Sequence, residues 1–217
     1  MSDLDAWLDP PLVAILRGVR PEEVVAIGSA LIEAGIRIVE VPLNSPEPFE
    51  SIERLARALE GRALVGAGTL RRPTEVAEVA RAGGRLVVTP HADPHIVRAA
   101  KALGLFAIPG VATPTEAFAM LDAGADALKL FPAEMLGPAV VKALVAVLPS
   151  GTRLLPVGGI DPEKIAAFRS AGASGFGLGS ALYRPGNTPE QVGEQARAFV
   201  DAWRAVSGAG AISALGG

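Results

Sequence analysis

Residues 105–132 read LFAIPGVATPTEAFAMLDAGADALKLFP, and this stretch holds one complete strand–helix–strand unit. An apolar run at 105–110 ends in Pro109-Gly110. The segment Thr113-Pro114-Thr115-Glu116 then places a proline at a first helical position, where its missing N–H costs little. The helical stretch closes on Ala123-Gly124, a small residue followed by the glycine that favours a helix C-terminus. A second apolar run follows at 125–132. Two strands joined by a helix of this length pair in parallel through a right-handed crossover.

The same unit recurs on both sides. Strands are expected at about 12–18, 36–43, 63–70, 85–90, 105–110, 125–132, 152–159 and 174–180. Helix starts are marked by RPEE at 20–23, RPTE at 72–75, DPH at 93–95, TPTE at 113–116, DPEK at 161–164 and TPEQ at 188–191. Eight such units close most naturally into a single-domain α/β (β/α)8 TIM barrel. An open doubly wound sheet is the alternative, but no unit lacks its helix and no glycine fingerprint dominates after the first strand. The expected organisation is an N-terminal lead-in at 1–11, a barrel at 12–206 and a flexible tail at 207–217, where SGAGAISALGG shows no periodicity.

Composition narrows the partners. The net charge is −3 with no basic run, which argues against nucleic acid. There is no cysteine, so disulfides, thiolate nucleophiles and sulfur-ligated zinc are excluded. The start, MSDLDAWLDPP, resembles neither a signal peptide nor a membrane span, and a soluble cytoplasmic protein is expected.

Two charges interrupt apolar strands. Of four lysines, Lys101, Lys142 and Lys164 fall in helix-like stretches, whereas Lys129 sits inside ADALKLFP. Burial there would favour its neutral, nucleophilic amine. Glu40 interrupts IRIVEVPL in the same way. Side chains alternate along a strand, so if Val39 and Val41, and Leu128 and Leu130, face the helices, Glu40 and Lys129 both point into the barrel. They come from the second and sixth strands, which lie opposite one another. A buried ion pair would explain this placement structurally. An amine nucleophile beside a proton-shuttling carboxylate would explain it as Schiff-base chemistry on a carbonyl substrate.

The ends of the last two strands read PVGGID and GLGSAL. Gly158, Gly159 and Gly179 let backbone N–H groups approach an oxyanion and Ser180 adds a hydroxyl, which makes a phosphate the natural ligand; ordinary tight turns are the other reading. Arg17 ends the first strand and offers a planar fork to a carboxylate or phosphate. Thr69 ends the third and either contacts a bound carboxylate or satisfies loop carbonyls. His91 and His95 have the spacing of two helical metal ligands, but Pro90 and Pro94 place them in a loop entering a helix, and no metal site is assigned.

Taken together, AILRG, IVEVPLNSP, VGAGT, TPHAD, IPGVATPTEA, LKLFPAE, PVGGI and GLGSALY resemble, in order and spacing over residues 11–186, the 2-keto-3-deoxy-6-phosphosugar-acid aldolases. The segments LVAILRG and IVEVPLNSP are most similar to the galactonate branch; Asn44-Ser45 and Val157 point the same way, while Ala133-Glu134 is more like the gluconate branch. The resemblance implies a class I aldolase, metal-independent and without cofactor, usually a homotrimer. Such an enzyme splits a 6-phosphorylated keto-acid into pyruvate and glyceraldehyde 3-phosphate. It further implies that Lys129 is the Schiff-base lysine and Glu40 the acid/base, that Arg17 and Thr69 bind substrate, that Gly158, Gly159, Gly179 and Ser180 hold the phosphate, and that Phe131 and Pro90 wall the pyruvate pocket. The rivals are a gluconate or 4-hydroxy-2-oxoglutarate aldolase of the same family, and a non-catalytic phosphosugar-binding barrel.

Overall fold

The computed structural model describes residues 3–213. Each parallel strand is followed by a helix or a helical turn, except where one strand leads directly into the next. The chain runs through β1 (Leu12–Ile15), α1 (Val24–Ala34), β2 (Ile38–Pro42), α2 (Pro48–Ala58), β3 (Leu64–Gly68), α3 (Thr74–Arg81), β4 (Leu86–Val88), α4 (Pro94–Ala102) and β5 (Phe106–Ile108). It continues through β6 (Gly110–Val111), α5 (Pro114–Asp122), β7 (Leu128–Leu130), α6 (Ala133–Val145), β8 (Leu154–Pro156), α7 (Ile165–Ser170), β9 (Phe176–Leu178) and α8 (Pro189–Ser213).

All strand pairings are parallel. They form a curled six-stranded sheet in the order β5-β4-β3-β2-β1-β9 and a three-stranded sheet in the order β6-β7-β8. The strand expected at 105–110 is therefore divided. Pro109 lacks the N–H that would continue the ladder, so Phe106–Ile108 pairs with β4 and Gly110–Val111 pairs with β7. At the other seam, a single parallel bridge joins Val157 to Gly177.

Side-chain alternation separates two apolar layers. Val39, Val41, Ala67, Leu128 and Leu130 lie in the cluster between strands and helices. Val13, Ile38, Leu64, Leu86, Val88, Phe106, Ile108, Ala127 and Leu155 form a second cluster on the inner face. Each fully buried aliphatic side chain contributes roughly 1.5–3 kcal/mol relative to exposure. The lead-in belongs to this second cluster: the 3₁₀ helix Asp3–Trp7 inserts Leu4, fully buried, with Trp7 and Leu8 packed against the same layer. Arg153 bonds Asp5, and Arg37 donates 3.2 Å to the Ala6 carbonyl, fastening the lead-in to the strands.

Local chemistry explains the helix starts. Thr113 and Glu116 form a reciprocal capping box on α5, and Asp93 accepts from the His95 amide at α4. His91 precedes α4 while His95 lies within it, so the two histidines do not share one helix. The last helix runs into the segment expected as a flexible tail. Helix α8 continues to Ser213, because Gly208 and Gly210 lower helix propensity without removing an N–H donor; residues 214–217 lie outside the described residues.

Candidate active site

Glu40 and Lys129 continue the inner-face alternation, two residues beyond Ile38 and Ala127 respectively. They are 1% and 5% exposed. Both line one small internal cavity with Val13, Ile15, Val88, Ile108 and Leu155. They are not in ion-pair contact within 4.0 Å, and Glu40 Oε2 is buried without a hydrogen-bond partner. Space for the carboxylate comes from Gly68 on β3, where even a methyl group would overlap it.

This environment moves both titrations toward neutrality. Burial raises the Glu40 pKa from 4.5 to about 7, against the opposing pull of the Lys129 and Arg17 charges. Burial likewise lowers the Lys129 pKa, a shift that Glu40 opposes and Arg17 reinforces. The Phe131 ring also favours the ammonium form, its centroid lying 4.8 Å from Nζ. An amine poised to lose its proton beside a carboxyl that titrates near neutrality is suited to nucleophilic attack on a carbonyl coupled to proton transfer.

The raised Glu40 pKa has a consequence for stability. Between pH 4.5 and about 7 the folded chain holds this proton more tightly than the unfolded chain, so stability present below pH 4.5 is lost as pH rises through about 7. At about 1.4 kcal/mol per unit, the loss amounts to roughly 3 kcal/mol at most. Urea unfolding of Glu40→Gln and the unsubstituted protein should therefore show the variant gaining relative stability from pH 5 to pH 8. A constant difference across that range would contradict the raised pKa.

Above the buried pair opens a cleft of about 320 Å³. It brings together Arg17, Lys129, Phe131, Gly158, Gly159, Gly179 and Ser180, which come from the ends of four strands, β1, β7, β8 and β9. Glu40 lies beneath it. Thr69 instead lines a neighbouring cleft with Asn44, and reaches the first only by accepting a 3.4 Å hydrogen bond from Arg17 Nη2. Pro90 is set apart from the cleft lining. Its loop is tied to β6, with Thr89 Oγ1 donating to the His91 carbonyl at 2.5 Å and accepting from the Gly110 amide at 3.2 Å.

The glycines are not equivalent. Gly158 and Gly159 have φ of 107° and 65°, so their backbone conformation already requires glycine. Gly179 has no positive φ, and a Cβ there would meet nothing within 4 Å. Its missing side chain leaves room in the cleft itself.

Among the polar residues lining the cleft, Tyr183 and Arg184 went unnoticed in the sequence, and Glu134 joins them. Arg184 Nε donates 2.9 Å to the Ser180 carbonyl, and the Arg184 amide donates 2.7 Å to Asn187 Oδ1. A cation four residues past Ser180 was the available signal, had a counter-charge for a phosphate been sought. Tyr183 donates 3.0 Å to Glu23 Oε1, which anchors that wall.

The family model described as KDPG and KHG aldolase matches residues 6–190. The chain belongs to this family. It is 48% identical over 194 residues to a 2-dehydro-3-deoxy-6-phosphogalactonate aldolase of Escherichia coli strain K12, covering 89% of this chain and 95% of that one. A solved native KDPGal structure superposes with a TM-score of 0.90 at 47% identity, covering 91% and 96% of the two chains. A KDPG aldolase of Legionella pneumophila, solved with pyruvate captured as a covalent carbinolamine intermediate, is 25% identical with a TM-score of 0.74 over 90% and 93%.

Proposed function

We propose that this chain is a class I aldolase that cleaves 2-dehydro-3-deoxy-6-phospho-D-galactonate to pyruvate and D-glyceraldehyde 3-phosphate. The observation that carries the reading is the isolated inner-face pair: a lysine with lowered pKa and a carboxyl with raised pKa share one cavity directly below an open cleft. A phosphosugar-binding protein without chemistry would gain nothing from burying either group.

In the forward reaction, neutral Lys129 Nζ attacks C2 of the keto-acid. The carbinolamine loses water to give a protonated imine. The Glu40 carboxylate takes the C4 hydroxyl proton, directly or through a water, as the C3–C4 bond breaks. Its electrons pass into the imine, leaving an enamine, and the aldehyde departs. Glu40 returns a proton to C3, and water then hydrolyses the imine to release pyruvate and regenerate the amine. The protonated imine is itself the electron sink, so the protein supplies orientation and a shaped charge environment.

The supporting residues follow from this pose. Arg17 meets the pyruvyl carboxylate, Thr69 supports it, and Phe131 walls the pocket. Gly158, Gly159, Gly179 and Ser180 receive the phosphate, with the Arg184 guanidinium beside them. We further read residues 106–111 as one strand bent at Pro109 and the Val157–Gly177 bridge as the closing seam, which makes an eight-stranded (β/α)8 barrel. A homotrimer in the cytoplasm is the accompanying expectation from the family resemblance. Among the described residues no helix is long and apolar enough to cross a membrane.

The galactonate and gluconate substrates differ at one hydroxyl, and Val157, lining the cleft just before the glycine pair, together with the 48% relative favours the galactonate epimer. Glu134 in the same cleft is the feature shared with the gluconate branch. Turnover of the two 6-phosphorylated epimers, measured in parallel by coupled pyruvate detection, decides between them. Faster cleavage of the gluconate would reverse the assignment.

Gly179→Val tests the phosphate position. Because the protein leaves this Cβ free, the added side chain should exclude the phosphate without disturbing the fold. The expected outcome is a drop in kcat/KM for the phosphorylated keto-acid of about tenfold or more, the scale of one lost charge-assisted contact. Pyruvate adduct formation at Lys129 should persist. Equal loss of both would mean general damage, and an unchanged kcat/KM would place the phosphate elsewhere.

A further inference from the structure

We infer that Asn44 is a positioning residue for Arg17: a neutral acceptor that holds the guanidinium at the cleft rim while leaving its positive charge free for the substrate carboxylate. The inference rests on the aldolase reading and extends it to a residue that does not line the main cleft.

Arg17 leaves β1 with a long side chain exposed to solvent. Two side-chain hydrogen bonds fix it. Nη1 donates 2.6 Å to Asn44 Oδ1, and Nη2 donates 3.4 Å to Thr69 Oγ1. These acceptors follow β2 and β3, so three successive strand ends converge on one guanidinium. Both acceptors are uncharged, and no carboxylate lies in ion-pair contact with Arg17 among the described residues. Of five guanidinium N–H donors, two are engaged and three remain.

The acceptors are themselves held. Ser45, adjacent to Asn44, accepts 2.9 Å from the Gly18 amide and donates its own amide 2.9 Å to the Pro42 carbonyl, locking the β2–α2 loop onto the β1–α1 loop. The Leu43 amide donates 2.8 Å to the Gly68 carbonyl, joining the same loop to β3. Thr69 has φ of 61°, a left-handed conformation that a β-branched residue adopts only when its surroundings enforce it. That strained residue is the one presenting its hydroxyl to Arg17. The Arg17 charge also reaches the buried pair, where it favours neutral Lys129.

Aspartate in place of Asn44 separates positioning from mere loop structure, because it keeps an acceptor oxygen in the same place but neutralises Arg17. The measurement is borohydride trapping of pyruvate at Lys129, as a function of pyruvate concentration and pH, in the unsubstituted protein, Asn44→Ala and Asn44→Asp. Asn44→Ala should raise the half-saturating pyruvate concentration about tenfold, the scale of one hydrogen bond to a charged group. Asn44→Asp should raise it further and move the pH of half-maximal trapping upward. If Asn44→Asp matches the unsubstituted protein in both readouts, or Asn44→Ala leaves the pyruvate dependence unchanged, the positioning role is overturned. Absence of any pyruvate adduct in the unsubstituted protein would instead overturn the aldolase reading from which the role derives.

Discussion

Lys129→Ala is expected to abolish cleavage of the phosphorylated keto-acid and, with it, the pyruvate adduct that borohydride traps in the unsubstituted protein. The other three lysines lack its environment: Lys101 is paired with Asp126 at 2.7 Å, Lys164 with Asp161 at 2.7 Å, and Lys142 lies on α6. None is buried on the inner face beside a carboxyl. Peptide mass mapping should therefore find the adduct on Lys129 alone, and the alanine variant should retain its circular dichroism spectrum. An adduct on Lys101, Lys142 or Lys164 with Lys129 unmodified would remove the basis of the mechanism.

Glu40→Gln should be the second most damaging change. Glutamine fits the space that Gly68 leaves but cannot exchange protons, so kcat is expected to fall by about 10²-fold or more, the range for a lost general acid/base. Lys129 should still form an adduct more slowly, because the amine remains desolvated. Steady-state turnover from pH 5 to pH 9 checks this. Near-normal rates throughout would show that another group moves the protons.

Much of this site was legible because strand periodicity is a strict code. A charge flanked by two outward-facing valines or leucines has only one direction left, so Glu40 and Lys129 could be aimed inward from IVEVP and ALKLF alone. The Pro-containing signals at 72–75, 93–95, 113–116, 161–164 and 188–191 coincide with helical beginnings, and RPEE at 20–23 immediately precedes α1; at Thr113 and Asp93 the reason is visible, since the cap is a local interaction written in neighbouring residues. Helices α2 and α6 were not marked in this way, although α2 also begins on a proline, Pro48; like α1 and α3 they carry no side-chain cap.

Longer-range facts were illegible for the same reason. Nothing local indicates that Thr89 ties the Pro90 loop to the Gly110 amide, twenty-one residues on. The division of one strand at Pro109 depends on which neighbour each half pairs with, and that is a property of the assembled sheet. Resemblance to a known family supplied residue roles that spacing by itself left open, especially for Phe131 and Pro90.

The N-terminal 3₁₀ helix contributes to the apolar layer that surrounds the buried pair. Leu4 shares the inner-face apolar cluster with Val13, Val88, Ile108 and Leu155, the side chains that also line the space holding Glu40 and Lys129. On the proposed mechanism the aldehyde departs while pyruvate is still tethered to the lysine, and in the reverse direction pyruvate must be seated before the aldehyde arrives. The order of the bimolecular steps is thus set by the imine, and the apolar layer that Leu4 joins flanks the amine on which it forms.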